Sequence, residues 1–370
     1  MGEATIKPAH LQPFKTKDGE RIDPMRRAVL KYSGSQAFMD TKLVKLCVKD
    51  TFNDMILESK HDVPREILTF EQAVEGIHSE EFINGLPRGT SAGWPKVRTK
   101  DSPLRGKKAW FGSEGDYDFS TEKCKELKME VEKIISDAKK GIRPSVVFMD
   151  CLKDETRPIE KVEAGKTRLI SAAPLAYLIA CRMVFMRFTQ WVMKNRVANG
   201  IAVGVNAYSK EWSSIVDKLH EVSNKMFDGD YGGYDTNQNK QVGDEICEGI
   251  NEWYDDGEEW ANVRRVFFMD IYSSTHICGD KVYQWVKSLP SGHPLTTIVN
   301  SIYNACLIRM GFVTSMDRSY AALKFFKEAI RYIVYGDDNV ISVHKDFRDK
   351  FNCIKFAEFI STIGMEYTDA

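Results

Sequence analysis

The sequence predicts a globular chain that mixes α-helices with antiparallel β-structure, and three observations carry that expectation. Apolar residues recur at helical spacing from Ala173 to Met193, and again at Ile298, Ile302, Cys306 and Met310. Two β-branched runs, Tyr332-Ile333-Val334-Tyr335 and Val340-Ile341-Ser342-Val343, flank Gly336-Asp337-Asp338-Asn339 in the pattern of a β-hairpin. With 43% hydrophobic, 28% charged and 11% aromatic residues, the composition excludes a disordered, collagen-like or coiled-coil chain.

A length of 370 residues exceeds what one ordinary core serves, so two or three subdomains are expected, in part discontinuous. The 52 basic and 53 acidic residues give a formal net charge of −1. That balance neither advertises nor excludes a nucleic-acid partner, because phosphate binding depends on where basic residues gather. The eight cysteines are scattered without a CxxC pair, which argues against a disulfide framework or a zinc site and for a reducing cytosolic compartment. Arg182 and Arg187 interrupt the most apolar stretch, Ala172 to Phe188, and the N-terminus lacks the apolar core of a signal peptide. No membrane crossing is expected.

Taken in order, Met1 to Lys140 reads as loop-rich with short helices, one of them near Glu71-Gln72-Ala73-Val74. Lys153 to Arg168 alternates charged and apolar residues, which suits an exposed hairpin. Pro174 opens a long buried helix reaching Met193. A short apolar piece ends at Met226-Phe227 and runs into DGDYGGYDTNQNK, and a helix follows through Ile246, Ile250 and Trp253. SLPSGHPLTT then opens a second helix whose apolar residues fall on one face. Asp346 to Ile363 reads as an amphipathic helix capped by Asp346 and stopped by Gly364, and a new element begins at Met365.

Several residues could carry chemistry, and each has a structural alternative. Asp337 and Asp338 repel at short range unless solvated, protonated or bridged by a cation. They are either a solvated hairpin tip or, between strands this apolar, a metal site. Asp230 and Asp235 bracket an Asp-Tyr-Gly-Gly-Tyr-Asp turn; the spacing fails as a calcium loop, and Asp235 could simply cap the next helix. Asn300, an amide among Ile298, Val299 and Ile302, needs a hydrogen-bond partner if buried. Lys153, Arg157, Lys161, Lys166 and Arg168 share a segment with four acids. It is either a solvated face or a strand pair that sorts its cations toward a groove, where they could grip a triphosphate.

Together these pieces resemble the viral RNA-dependent RNA polymerases of the picornavirus-like group, particularly its insect dicistrovirus- and iflavirus-like members. The resemblance runs from about Thr90 to the last residue. Thr90, Ser91, Ala92 and Gly93, followed by Trp94-Pro95, look like the motif where template enters. KDETRPIEKVEAGKTRLI from Lys153 looks like the basic fingers motif. DYGGYD from Asp230, PSGHPLTTIVN from Pro290 and Tyr335-Gly336-Asp337-Asp338 are similar to three palm motifs. A specified four-residue string occurs by chance in such a chain only about twice in a thousand. Five ordered motifs share no structural alternative.

The resemblance implies an α+β right-hand fold: fingers over 1–191 and 243–283, palm over 192–242 and, incomplete, over 284–370, with no thumb. It implies RNA-directed synthesis of a positive-strand viral genome from NTPs on an RNA template and primer. Asp230, Asp337 and Asp338 would hold two Mg²⁺ ions, for which Mn²⁺ can substitute. Lys153, Arg157, Lys161, Lys166 and Arg168 would bind the triphosphate. Asp235, Thr296 and Asn300 would read the ribose 2′-hydroxyl, and Ser291 and Gly292 would form the template and translocation loop. A reverse transcriptase, the nearest competitor, typically blocks the 2′-hydroxyl with a bulky side chain after its first aspartate, where a polar trio stands here.

Implied partners extend to a protein primer and other viral replication proteins, and the implied place is the cytoplasm of an infected cell, in membrane-associated replication complexes. Two departures from the family pattern stand out. The lysine of the fourth palm motif would fall just past Ala370, and the primer-gripping motif is missing. The chain by itself is therefore expected to elongate weakly or not at all. An inactive RNA- or nucleotide-binding module is the alternative from another functional class.

Overall fold

The computed structural model describes residues 4–98 and 102–369. Three short strands, β1 (Ile6–Pro8), β2 (Phe14–Lys15) and β3 (Arg21–Ile22), lead into helix α1 (Pro24–Leu30). Asp23 accepts from the Arg26 N–H to cap α1, with Pro24 at its first position. Next come α2 (Thr41–Glu58), α3 (Phe70–Glu75), α4 (Lys108–Phe111) and α5 (Glu122–Lys139). Helix α3 is the one expected near Glu71, and its Thr69/Gln72 pair forms a capping box.

The 18-residue helices α2 and α5 correct the expectation of a loop-rich N-terminal region with only short helices. Asp40 and Thr121 cap them, and Val44, Cys47, Val48 and Met55 on α2, like Leu127, Val131 and Ile135 on α5, form buried rows. The many lysines and acids on their outer faces dilute that stripe in the sequence.

Two four-stranded sheets organise the remainder. The first has the order β6-β4-β8-β9, from β4 (Val147–Leu152), β6 (Leu169–Ala172), β8 (Thr275–Cys278) and β9 (Lys281–Gln284). The second, wholly antiparallel, has the order β10-β11-β7-β12, from β7 (Met226–Gly232), β10 (Ile330–Tyr335), β11 (Asp338–Val343) and β12 (Glu366–Asp369). Helices α7 (Leu175–Lys194), α8 (Glu211–His220), α9 (Lys240–Tyr254), α10 (Glu258–Tyr272), α11 (Thr296–Ser315), α12 (Phe326–Ala329) and α13 (Cys353–Thr362) pack around them.

The expected hairpin at Lys153–Arg168 is instead the connection between the true arms, β4 and β6, which pair from Met149↔Ala172 to Leu152↔Leu169. Within it, β5 (Thr156–Pro158) pairs with β1, and α6 (Ile159–Glu163) follows because Pro158 has no N–H to extend a ladder. The last helix starts at Cys353, capped by Asn352, and not at Asp346. Phe347 and Phe351 turn inward against Phe312 before that helix begins. The strand β12 is the new element expected after Gly364.

One continuous apolar core reaches from α2 to β12, and α11 runs through it buried on every side, not on one face as its spacing implied. Arg309 of α11 is 1% exposed; its guanidinium donates to Asp50 (2.8 Å) and Asp54 (2.5 Å) of α2 and to the Tyr332 hydroxyl (3.0 Å). All eight cysteines are free. Among the described residues no helix is long and apolar enough to cross a membrane.

Removing one partner of such a buried ion pair costs far more than an exposed one. Arg309→Met is expected to lower unfolding free energy by about 3 kcal/mol in urea denaturation. A second expectation concerns Asp270 of α10, where burial outweighs the ion pair with Arg143 (2.5 Å) and pushes the carboxyl up to about 7 from 3.8. The folded state then keeps a proton that the unfolded chain releases. Its stabilising contribution is complete below about pH 4 and declines toward pH 7, by at most about 1.4 kcal/mol per pH unit. Asp270→Asn should flatten that slope; an unchanged slope in thermal melts would refute the assignment.

Candidate functional site

The hairpin of β10 and β11 closes at Tyr335↔Asp338 through a two-residue turn, Gly336-Asp337. Gly336 adopts φ +62°, a left-handed conformation that glycine takes without strain. The turn rests on α11: the Ser301 hydroxyl accepts from the Gly336 N–H at 2.8 Å, and Asn304 Nδ2 donates to the carbonyls of Gly336, Asp337 and Asp338 at 3.0–3.3 Å. Tyr231 donates to Asn304 Oδ1 at 3.0 Å, and Tyr367 donates to Asn339 Oδ1 at 2.6 Å. The strands are buried while the aspartate side chains at the tip are exposed.

Asp230 lies on strand β7, not on a turn, because the bend begins only at Gly233. Val340 pairs with Asp228, and that register brings Asp230 level with Asp338. Asp230 and Asp337 both act on their neighbours: burial, then Asp337 and then Asp230 raise the Asp338 carboxyl above its ordinary range. Among the described residues no side chain donates to any of these three carboxylates, and no cation lies within ion-pair distance of them.

Such a donor set fits a hard divalent cation. The three carboxylates do not close into a ligand cage, and among the described residues no group of three His, Cys, Asp or Glu converges as one. Open carboxylate arrangements suit Mg²⁺, which keeps waters and takes substrate phosphates to complete its shell. Beside Asp230 and Asp338 opens a cleft of about 540 Å³, lined by Trp212, Ile215, Val216 and Tyr335.

Asp235 does not cap a helix. Asn239 caps α9, and Asp235 instead accepts from Asn300 Nδ2 at 2.9 Å. Burial and then Asp337 raise its pKa, against the opposing pull of Asn300 and Arg168. Asn300 has the partners that its place in an apolar helix demands: Gln238 donates to its Oδ1 at 2.6 Å, and Tyr234 donates to its backbone carbonyl. Thr296 stands apart from this pair, since its hydroxyl donates to His293 O (2.7 Å) and Pro290 O (3.1 Å).

The loop with Ser291 and Gly292 is fastened at both ends. Gly292 bridges Ala172 of β6, so close that a Cβ there would sit 2.2 Å from Ser171 O, and the Ser171 N–H donates to Ser291 Oγ at 3.3 Å. At the other end the Leu295 N–H donates to His293 Nδ1 at 3.2 Å. That leaves the proton on Nε2, facing Tyr177 Oη (3.4 Å) and Cys181 Sγ (3.5 Å), while Tyr177 donates to Phe267 O. Burial holds His293 at about 3, so it stays neutral.

The basic connection is partly self-neutralised. Arg168 forms a two-pronged pair with Glu155, whose pKa it lowers to about 2, and Lys153 lies 3.3 Å from the same carboxylate. The Glu155 pair, with smaller contributions from Asp235 and Asp337, raises the Arg168 guanidinium above its ordinary value. Arg157 donates to Lys166 O, while Lys161 and Lys166 are exposed. Thr90 and Ser91 hold the buried Lys107, whose Nζ bonds Thr90 Oγ1 and Ser91 O and whose pKa burial lowers to about 8. Ala92 O accepts from the Leu175 N–H, and Gly93 at φ +67° sits where a Cβ would meet Ala173 O at 2.2 Å.

Asn304, Ser301, His293 and Lys107 were not anticipated from the sequence. Asn304 could have been: it sits one helical turn after Asn300 as another amide in an apolar run.

Known proteins resemble this chain along nearly its whole length. A family model described as viral RNA-dependent RNA polymerase matches residues 3–370. The chain is 35% identical over 388 residues to the replicase polyprotein of Cricket paralysis virus, covering 100% of the chain and 22% of that protein. It is 38% identical over 381 residues to the replicase polyprotein of Acute bee paralysis virus, covering 100% of the chain and 19% of that protein. It thus spans about a fifth of the length of these relatives. Among solved structures, the Sicinivirus 3Dpol RNA dependent RNA polymerase superposes with a TM-score of 0.79 at 24% identity, covering 100% of this chain and 71% of that one, a likeness of fold.

Proposed function

The chain belongs to the viral RNA-dependent RNA polymerase family, and from that premise we propose that it carries the nucleotidyl-transfer centre of an RNA-directed RNA polymerase that replicates a positive-strand viral genome. The observation that supports this most is the trio Asp230, Asp337 and Asp338, mutually repelling and, among the described residues, without an ion-pair partner, two of them at the end of the β10–β11 hairpin and the third on the adjoining strand β7.

Asp230, Asp337 and Asp338 would hold two Mg²⁺ ions, which supply Lewis acidity for attack by the RNA 3′-hydroxyl on an NTP and for departure of pyrophosphate. The chain's own residues do the rest. Arg168, Arg157, Lys153, Lys161 and Lys166 neutralise and orient the triphosphate. Asp235, fixed by Asn300, accepts from the ribose 2′-hydroxyl, with Thr296 shaping the loop above it. Ser291 and Gly292 face the template and the sugar, and Thr90 to Gly93 line the path by which template RNA arrives. The cleft beside Asp230 would take the growing 3′ end.

On this reading residues 1–191 and 243–283 are fingers, and 192–242 with 284–370 are palm. Packing supports the grouping: α9 and α10 lie against α2, α5 and α7, while the aspartate sheet is built from the other two segments. RNA template, primer and NTPs are the partners, and the host cytoplasm is the place of action.

Two expectations follow for the polymerase that contains these residues. Asp337→Asn should reduce Mg²⁺-dependent nucleotide incorporation on the order of a hundredfold or more while leaving RNA binding intact; wild-type incorporation in the variant would leave only a binding module. Asp235→Ala should narrow the preference for ribonucleotides over deoxynucleotides by about tenfold. Unchanged sugar selectivity in single-nucleotide competition would dissociate Asp235 from ribose reading.

A further inference from the structure

Toward the end of the aspartate sheet away from its turn, a cleft of about 430 Å³ opens between the ends of α2 and α7 and the flank of α8. Glu221 at its rim pairs with Arg331, which stands four residues before the Tyr335 that closes the hairpin, roughly 13 Å along β10. Neither the aspartates nor the basic connection between β4 and β6 contributes to its walls. Two of those walls are built to hold their shape. Asn195 Oδ1 accepts from the N–H groups of Lys60 and His61, both at 2.8 Å, and its Nδ2 donates to His61 O at 2.8 Å, so the segment leaving α2 is pinned to the end of α7. In the loop that follows α7, Val197 adopts φ +65°, a left-handed conformation that a β-branched residue takes only when its surroundings impose it. Here they do: the Val197 N–H donates to Ile201 O at 2.8 Å and the Gly200 N–H to Val197 O at 3.0 Å, while Asn199 spans the loop from Val192 O to the Ile201 N–H. Backbone strain held in this way gathers at sites that grip a ligand.

The cleft carries surplus positive charge. Glu58 on its wall pairs with Lys327 at 3.1 Å and Glu221 with Arg331, while Arg196 is engaged by Glu211. Among the described residues no carboxylate lies within ion-pair distance of the lining lysines Lys60, Lys194 and Lys218. Of the described acids that line the cleft, Asp217 alone lacks a cation, so three ammonium groups face one carboxylate. Lys218 is the most confined of the three. Its Nζ donates to Ala198 O at 2.8 Å, which leaves two protons over, and burial lowers its pKa against the opposing pull of Glu221 and Glu58. Gathered cations repel one another, and a phosphate dianion, whose terminal oxygens accept from several ammonium groups at once, relieves that cost.

We propose that this cleft is a binding site for a small phosphomonoester of mononucleotide size, its phosphate held by Lys60, Lys194 and Lys218 and its organic part lying on Val197 and Ala198. The site stands apart from nucleotidyl transfer and does not rest on the polymerase reading. A cavity of a few hundred Å³ suits a small molecule. Three lysines gathered in one pocket favour it over an extended RNA backbone, which needs cations in a spaced row.

AMP, inorganic phosphate and a single-stranded RNA oligonucleotide without a terminal phosphate are titrated by calorimetry into the wild-type chain, Lys60→Gln, Lys60→Arg and Asp217→Asn. The series is repeated in an Arg168→Gln background, which weakens the basic connection as a competing anion site. Lys60→Gln should weaken AMP binding about fivefold, Lys60→Arg should retain it, and Asp217→Asn, by removing the opposing charge, should tighten it about threefold. The same ratios should hold in the Arg168→Gln background. AMP should bind more tightly than inorganic phosphate, because Val197 and Ala198 receive its organic part. Lys60 and Asp217 are exposed, so their variants should melt like wild type. AMP binding indifferent to both Lys60→Gln and Asp217→Asn overturns the proposal, as does a loss that vanishes in the Arg168→Gln background or falls on the RNA alone. Inorganic phosphate bound as tightly as AMP would overturn the assignment to an ester.

Discussion

Asn304 holds the backbone of the aspartate turn from beneath, and the site depends on that contact. Its amide protons go to the carbonyls of Gly336, Asp337 and Asp338, and its own oxygen is fixed by Tyr231. A buried amide can do this without neutralising anything. A lysine or arginine in its place would anchor the turn by pairing with the carboxylates and so occupy the position a metal ion needs. The turn is therefore rigid in its backbone and electrostatically unsatisfied in its side chains, and a divalent cation with substrate phosphates can meet that need.

Helix α11 extends the same logic along its length. Asn300 positions Asp235, Ser301 receives the Gly336 N–H, Asn304 carries the turn, and Arg309 ties the far end to α2. The acidic centre and the Asp235–Asn300 pair are thus fixed relative to each other by a single helical backbone. The loop ahead of that helix is fixed differently: Gly292 lies against β6, and the hydrogen-bond chain from Leu295 through His293 and Tyr177 to Phe267 O runs in one direction only. Any movement of Ser291 must disturb the first attachment, while the second keeps the start of α11 in place.

Much of the fold was legible where local pattern and tertiary role coincide. The β-branched runs around Gly336-Asp337 and the apolar run after Pro174 form the predicted hairpin and helix because burial rewards the same residues that local propensity favours. Asn300 announced itself by the cost of burying an amide, although the same argument applied to Asn304 and was not made. Helices α2 and α5 were obscured by charge on their outer faces, and Asp346 looked like a cap until two phenylalanines drew its neighbours into the core. The hydrogen bond from Arg27 to Ala164 O in the basic loop is a contact across more than a hundred residues, which no local pattern encodes. The acids of that loop carried a hint read too simply: Glu155 does not merely dilute the basic motif but holds Arg168 and Lys153 on one carboxylate.

The central claim is that Asp230, Asp337 and Asp338 form an open cation site which the chain holds rigid and leaves uncompensated. Titration of Mn²⁺ into the protein, followed by electron paramagnetic resonance with and without NTP, tests it most directly. The account predicts weak Mn²⁺ binding that tightens when NTP is added, and loss of that binding in Asp230→Asn. Equal Mn²⁺ affinity in wild type and Asp230→Asn, indifferent to NTP, would contradict it.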